Sequence, residues 1–324
     1  MKNNRSRMAI ALSIVTLVLT GTVLAASTIR GIPNGNPQGG QHSDKRPIIG
    51  DGSVTFGAYD PHGDFGNDSN SKIENLFLPW EDVDLSSLTD ADNYAQQRGR
   101  DLLISVEPWS WSTDWRSTPE KLIGEILAGD YDANMAAICS MTSGFKSKVT
   151  IRWAQEMDEP ENRFTWAHWS SADYVAAYRR MVTICRKHNK SATYMWSPKG
   201  KPGLAKFYPG NDVVDVVGLS VFGLEQYDID HFGGPRTFAQ ALAPGYELVQ
   251  AFNKPIMVAE LGYAGGTDYV RAWAAEAAKK HPQFPDLTAV VYFNDKEVYP
   301  WPGLYGLPYW RVVSDDAIKL ANAP

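Results

Sequence analysis

Cysteine is scarce in this chain: Cys139 and Cys185 are the two among 324 residues. That is too few for a disulfide-built scaffold, and neither sits in a Cys-x-x-Cys or metal-ligand spacing. Positive charge is also short, with 31 Lys and Arg against 37 Asp and Glu and a net charge of −6. A phosphate backbone calls for a basic surface, so nucleic acid is excluded as a partner. The 27 glycines show no triplet period, which excludes collagen, and 44% hydrophobic residues is too much for a disordered chain. No Gly-x-Gly-x-x-Gly follows a strand and no Walker motif is present, so nothing points to a nucleotide. The absence of Gly-x-Ser-x-Gly leaves a serine esterase without a nucleophile elbow. The six histidines are scattered, and His62 has no partner at metal-ligand spacing, so neither metal nor cofactor is expected. What the chain does have is tryptophan, 11 of them. In an acidic protein, that supply favours flat apolar ligands such as sugars.

Lys2, Arg5 and Arg7 precede an uncharged run from Met8 to Ala26 that ends in small residues. This pattern predicts a signal segment over residues 1–26, and hence a secreted or periplasmic protein. An uncleaved membrane tether through residues 8–26 is the alternative, because about 17–25 apolar residues span a bilayer. Thr16, Thr20, Gly21 and Thr22 dilute the run and favour cleavage. Residues 27–50 are rich in Gly, Pro, Asn and Gln and read as a flexible linker. Residues 51–324 read as one domain, expected to be a monomer. Cys139 and Cys185 both fall in expected neighbouring helices and can pair if the compartment is oxidising. Two buried small hydrophobes is the preferred reading.

Short β-rich runs alternate with helical ones along the domain. The strands are expected at Val54–Ala58, Asn75–Leu78, Leu102–Val106, Val149–Trp153, Thr193–Trp196, Val213–Leu219, Pro255–Ala259 and Thr288–Phe293. Most are continuous apolar runs, as parallel strands covered on both faces require. Thr118-Pro119-Glu120 and the Ser170–Asp173 stretch are helix starts, Thr267-Asp268 opens another helix, and Pro244-Gly245 should break the helical run after the sixth strand. Eight strands with intervening helices predict an α/β fold, the (β/α)8 barrel, whose active sites lie at the C-terminal strand ends.

Two glutamates stand at such ends. The fourth strand runs into Arg152-Trp153-Ala154-Gln155-Glu156, and the seventh into Ala259-Glu260. A charge ending an apolar strand is awkward unless it faces the barrel mouth, where these two side chains are expected to converge. Carboxyls about 5–5.5 Å apart suit a retaining glycosidase, in which one is nucleophile and the other acid and then base. A rim salt bridge to Arg is the alternative for either one alone.

The stretches Ile126–Asp132, Ile151–Asp158, Phe164-Thr165-Trp166, Tyr208–Ser220 and Lys254–Gly262 resemble glycoside hydrolase family 26. That family includes β-mannanases, mixed-linkage β-glucanases and β-1,3-xylanases. The resemblance covers roughly residues 51–312 and implies Glu156 as acid/base and Glu260 as nucleophile. It places Arg152 near the acid/base, and Trp166 and Trp196 near the reacting sugar. The family pattern has His before the acid/base, and here it is Gln155; an aromatic hydroxyl is expected near the nucleophile, and the matching position is Phe222. Both departures weaken mannan as substrate.

Further candidates line the expected cleft. Glu107 ends the third strand, and Trp109, Trp111 and Trp115 follow it in one loop, where at least one should stack on a pyranose. Tyr59, Asp60 and His62 follow the first strand, with a turn at Asp60-Pro61 as the alternative. Tyr292 and Trp301 belong to the eighth strand and its loop, with Asn294, Asp295 and Glu297. Glu225 is expected to be solvated and Ser220 structural. The partner implied is a β-linked polysaccharide or oligosaccharide. A glycan-binding barrel without turnover, or a transglycosylase, in polysaccharide export is the competing reading.

Overall fold

The computed structural model describes residues 45–110, 112–159 and 164–313. The signal segment, most of the linker and Trp111 lie outside them. Eight strands form the frame: β1 (Thr55–Tyr59), β2 (Ser71–Pro79), β3 (Asp101–Glu107), β4 (Val149–Trp153), β5 (Thr193–Trp196), β6 (Val216–Leu224), β7 (Ile256–Ala264) and β8 (Leu287–Phe293). Among the described residues seven α-helices accompany them: α1 (Ser87–Arg98), α2 (Pro119–Ala128), α3 (Asp132–Thr142), α4 (Ser171–His188), α5 (Glu225–Phe232), α6 (Phe238–Val249) and α7 (Thr267–Glu276). Each strand pairs in parallel with the next, and β8 closes on β1. This is the (β/α)8 barrel read from the strand count.

Period-two alternation divides the strand residues between two cores. Ile73, Leu103, Met195, Ala259, Ala289 and Val291 fill the barrel interior. Their neighbours Leu102, Ile104, Tyr194, Trp196, Val290 and Tyr292 join the layer between strands and helices.

The helix starts follow the sequence signals. Thr118 Oγ1 accepts the Lys121 N–H and Ser170 Oγ accepts the Asp173 N–H, each satisfying a first-turn donor. One break falls elsewhere than expected. The β6–β7 connection is two helices, but the gap lies between α5 and α6, and α6 runs through Pro244. The Pro244-Gly245 pair serves packing instead: Gly245 lies against Gly200, where a Cβ would stand 3.6 Å from the Gly200 Cα.

Cys139 of α3 and Cys185 of α4 are joined by a disulfide, with Cα atoms 5.2 Å apart. This corrects the preferred reading of two free buried thiols. Both are fully buried, so burial and pairing coincide. At the domain's start, residues 45–50 lie on the barrel. Lys45 Nζ donates to the Tyr309 carbonyl, and the Ile48 N–H donates to the Ala274 carbonyl. Among the described residues no helix is long and apolar enough to cross a membrane.

Candidate active site

Arg152 is the first unusual group at the mouth. It is fully buried on β4, and its Nη1 donates to Glu260 Oε1 at 2.7 Å. Its Nε donates to Ser197 Oγ at 2.8 Å, which fixes the guanidinium plane. Glu260 does not end its strand, as expected from the sequence, because β7 continues to Ala264. It stands at an irregularity. The β6–β7 register passes from Leu219 with Val258 to Ser220 with Glu260, leaving Ala259 as the extra residue. The β7–β8 register shifts between Val258 and Leu261. A bulge re-aims a side chain within a continuing strand, and bulges gather beside active sites for that reason. The side chain of Glu260 keeps 12% of its surface open.

Glu156 follows β4 and is nearly buried. Its φ is 56° and that of Ala154 is 49°, both in the left-handed region that non-glycine residues rarely adopt. The strain is held by neighbours: the Glu156 N–H donates to the Ser197 carbonyl at 2.7 Å, and the Glu159 N–H to the Glu156 carbonyl at 3.0 Å. Such strain persists only where the surroundings over-determine it, which is common at functional sites.

Glu107 and Gln155 form a second layer behind these two. Gln155 Nε2 donates to Glu107 Oε1 at 2.8 Å, and Trp109 Nε1 donates to Glu107 Oε2 at 2.9 Å. Gln155 Oε1 is buried with no hydrogen-bond partner among the described residues. The Trp109 ring lies under the Arg116 guanidinium, 3.4 Å from its centroid, and meets Trp166 at 4.7 Å. It is therefore a wall of the site rather than an open platform. Trp115 is exposed.

Aromatic rings line the other side. Tyr59 meets Phe77 and Phe293 at 5.0 and 5.1 Å, and Phe222 meets Phe293, Trp301 and Trp310. Phe222 can lie flat on β7 because the neighbour is Gly262, where a Cβ would come within 2.8 Å of its ring. Burial, with Asp295, Glu107 and Glu260 adding negative charge, pushes the Tyr59 hydroxyl up to about 12. It stays a neutral donor across ordinary pH.

Three candidates do not present a surface to the cleft. Trp196 is fully buried on the outer face of β5 against Tyr208 and Phe252. Tyr292 is fully buried on the outer face of β8, and its hydroxyl donates to the Trp310 carbonyl. Trp166 is fully buried, stacked on Phe164, with Nε1 donating to the Gln155 carbonyl. It supports the loop of Glu156 from behind.

Asp60 accepts the N–H groups of Asp64 and Phe65 and the Asn294 amide, so it holds the turn. His62 pairs with Asp295 at 3.0 Å across the β1 and β8 loops. Glu297 is buried and accepts from Trp310 Nε1. Glu225 is not simply solvated: it accepts the Gly266 N–H at 2.6 Å and ties α5 to the start of α7. The Ser220 hydroxyl, in register with Glu260, has no partner among the described residues.

Sequence reasoning missed one cluster. Asp158 accepts the backbone N–H groups of Lys199, Gly200 and Lys201, and Lys199 Nζ pairs with Glu159 and approaches Glu156 to 4.0 Å. Burial lifts the Asp158 carboxyl above the usual range, although the Lys201 and Lys199 N–H groups pull it back. The available signal was three acids within four residues, Glu156 to Glu159, after an apolar strand.

Comparison with known proteins bears on this arrangement. Residues 145–295, from just before β4 to just after β8, match the model of Glycosyl hydrolase family 26. The resemblance to that family holds. The matched span carries both Glu156 and Glu260. The chain is 22% identical over 244 residues to Endoglucanase H of Acetivibrio thermocellus, covering 71% of this chain and 25% of that protein. It is 25% identical over 145 residues to a Beta-1,3-xylanase of Alcaligenes sp, covering 43% of this chain and 28% of that one. The chain thus spans about a quarter of the length of these curated relatives. Among solved structures, a modular endo-beta-1,4-mannanase from Cellulomonas fimi shares the fold with a TM-score of 0.58 at 17% identity, over 75% of this chain and 65% of that one.

Proposed function

We propose that this chain is an exported retaining glycoside hydrolase that cleaves a β-linked polysaccharide, with Glu260 as nucleophile and Glu156 as acid and then base. The observation that carries the reading is the unequal setting of the two carboxyls. Glu260 is ion-paired with a buried guanidinium, which favours its ionised form. Glu156 sits nearly out of water, with Asp158 and Glu159 on the same loop and the Lys199 ammonium 4.0 Å away, and burial favours a proton on it. Double displacement needs that inequality. In the first step the Glu260 oxygen bonds to the anomeric carbon as the glycosidic bond breaks. The bond's electron pair goes to the leaving oxygen, which takes the Glu156 proton. In the second step a water gives its proton to Glu156, and its oxygen displaces Glu260.

The names of the relatives, an endoglucanase, a β-1,3-xylanase and a β-1,4-mannanase, support a β-linked glycan without selecting one. Gln155 and Phe222, departing from the family pattern, favour a β-glucan or bacterial exopolysaccharide over mannan. The Cys139–Cys185 bond accords with an oxidising compartment, and so with export. N-terminal sequencing of the mature protein decides between signal and tether.

The test is product release from mixed-linkage β-glucan, carboxymethylcellulose, β-1,3-glucan, glucomannan, galactomannan and β-1,3-xylan. Activity on one of these should fall at least about a hundredfold in both Glu156→Ala and Glu260→Ala. On an aryl glycoside whose leaving group departs without a proton, added azide should restore turnover in both variants, with opposite anomers of the glycosyl azide from the two. An active wild type whose alanine variants keep full activity would sink the assignment. Binding of a polymer with no turnover would favour the non-hydrolytic barrel.

A further inference from the structure

Ser197, the residue after β5, reaches the settings of both carboxyls. Its Oγ accepts from Arg152 Nε at 2.8 Å, and the same guanidinium donates to Glu260 Oε1 through Nη1 at 2.7 Å. Its carbonyl accepts the Glu156 N–H at 2.7 Å. The residue is fully buried, so its hydroxyl is out of a substrate's reach. It is also confined, because Pro198 follows it and the residue before a proline is held to extended conformations. Side chain and carbonyl therefore keep few orientations relative to each other. The remaining contacts of the guanidinium are weaker: Nη1 also points at Ser105 Oγ, but at 3.4 Å, and Nη2 has no hydrogen-bond partner among the described residues.

The space for the Ser197 hydroxyl comes from the neighbouring strand. Gly218 of β6 lies beside it, where a Cβ would stand 2.6 Å from Ser197 Oγ, 3.0 Å from its Cβ and 2.6 Å from Met195 Sδ. The methionine can yield by rotating its flexible side chain. The serine hydroxyl turns about a single bond, and turning it away breaks its contact with Arg152.

We propose that Ser197 is a positioning residue that holds the two carboxyls in a fixed relation, its hydroxyl turning Arg152 onto Glu260 while its carbonyl fixes the backbone of Glu156, and that Gly218 makes room for that hydroxyl. The catalytic part of this inference rests on the roles proposed above for Glu156 and Glu260. The part concerning the guanidinium does not.

Loss of the hydroxyl has a selective consequence. It frees Nε and lets the guanidinium plane turn, so Glu260 loses a fixed partner, while the carbonyl goes on holding Glu156. Misplacement of a reacting group costs turnover rather than binding when the lost contact never touched the substrate.

The experiment is NMR of the full chain with 15N-labelled arginine, the Arg152 Nε–H signal being assigned through Arg152→Lys. A buried, hydrogen-bonded N–H exchanges slowly with solvent, and in Ser197→Ala this exchange should quicken by about tenfold or more. On the polysaccharide that wild type hydrolyses, kcat should fall by about tenfold or more with KM within about twofold. Ser197→Cys, which keeps the shape and a weak acceptor, should recover part of both. Gly218→Ala should move both readouts in the direction of Ser197→Ala. The double variant should fall about as far as Ser197→Ala alone, because the hydroxyl that the new methyl crowds is then gone. Should Ser197→Ala fail to fold, Ser197→Cys and Gly218→Ala carry the same comparison. An Arg152 signal that exchanges as in wild type in these variants would overturn the inference. A signal that quickens while kcat stays would overturn its catalytic part, and effects of the two substitutions that simply multiply would overturn the role of Gly218. Failure of the nucleophile assignment shows separately, as a Glu260→Ala variant that keeps wild-type turnover.

Discussion

Arg152 is a charge that the apolar run of β4 would reject unless something repaid its burial. Glu260 and Ser197 do so, at 2.7 and 2.8 Å. Removing one partner of a buried pair costs about 3–5 kcal/mol, because the other charge is left uncompensated. Arg152→Met should therefore lower the urea-unfolding free energy by that order. It should also make Glu260 harder to ionise, raising the acid limb of the pH–rate profile by about one pH unit or more. Arg152→Lys should recover part of the stability and most of the limb's position. A methionine variant that is destabilised yet keeps the wild-type limb would show that Arg152 supports the fold and leaves the ionisation of Glu260 untouched. Arg152, Glu156 and Glu260 were legible because each is a charge where the strand pattern calls for an apolar residue. Lys199 was not, because a charge in the loop Ser197-Pro198-Lys199-Gly200 contradicts nothing around it.

Elements show a different limit. The strands of a closed parallel barrel are buried on both faces, so their sequences are continuous apolar runs and the phase of alternation leaves no mark. That is why Tyr292 read as a cleft residue, and why nothing in the strand pattern opposed the placement of Trp196 that the resemblance implied, when both belong to the outer layer. The bulge at Ala259 was invisible for the same reason: an extra apolar residue in an apolar strand changes no pattern. Helix pairing was legible only as adjacency. The disulfide between α3 and α4 closes a separation of 46 residues. Constraining a loop of that length in the unfolded chain stabilises by about 4 kcal/mol, and loss of a native disulfide typically costs 2–5 kcal/mol. The Cys139→Ser, Cys185→Ser double variant should melt at lower temperature by an amount matching that range. Reduced wild type should melt beside it. A double variant as stable as the oxidised protein would mean that packing of α3 on α4 does the work alone.

At the scale of the whole barrel, the alternation was readable because it repeats, but among the described residues two connections lack an α-helix: β5–β6, which has a short 3-10 turn at Leu204–Phe207, and β1–β2. No helix separates β1 from β2 among the described residues; a polar turn around residues 60–70 covers that stretch of wall. The turn is held from beside it. Arg100 donates to the carbonyls of Phe65 and Asp68 and to Glu74 Oε2 at 2.7 Å, and Asp60 organises the backbone of Asp64 and Phe65. A carboxylate thus sits where most other units place an apolar helix face. Burial pushes Glu74 up to about 7 from an ordinary 4.5, although Arg100, whose guanidinium is shared with the carbonyls of Phe65, Gly66 and Asp68, pulls the other way. The native state therefore keeps the proton to higher pH than the unfolded chain does. Wherever the native state binds more protons, stability falls with rising pH. The Glu74 contribution should be present in full below about 4.5 and be lost as pH rises to about 7. Other groups titrate over the same interval, so the informative quantity is the difference from Glu74→Gln, whose amide can still accept from Arg100. The two proteins should have similar urea-unfolding free energies near pH 4.5. At pH 8 the glutamine variant should be the more stable, by on the order of 1–3 kcal/mol. If wild type were instead the more stable at pH 8, the Arg100 pair would outweigh the desolvation of Glu74. The helix-less wall of the barrel would then be held by an ion pair rather than burdened by a buried charge.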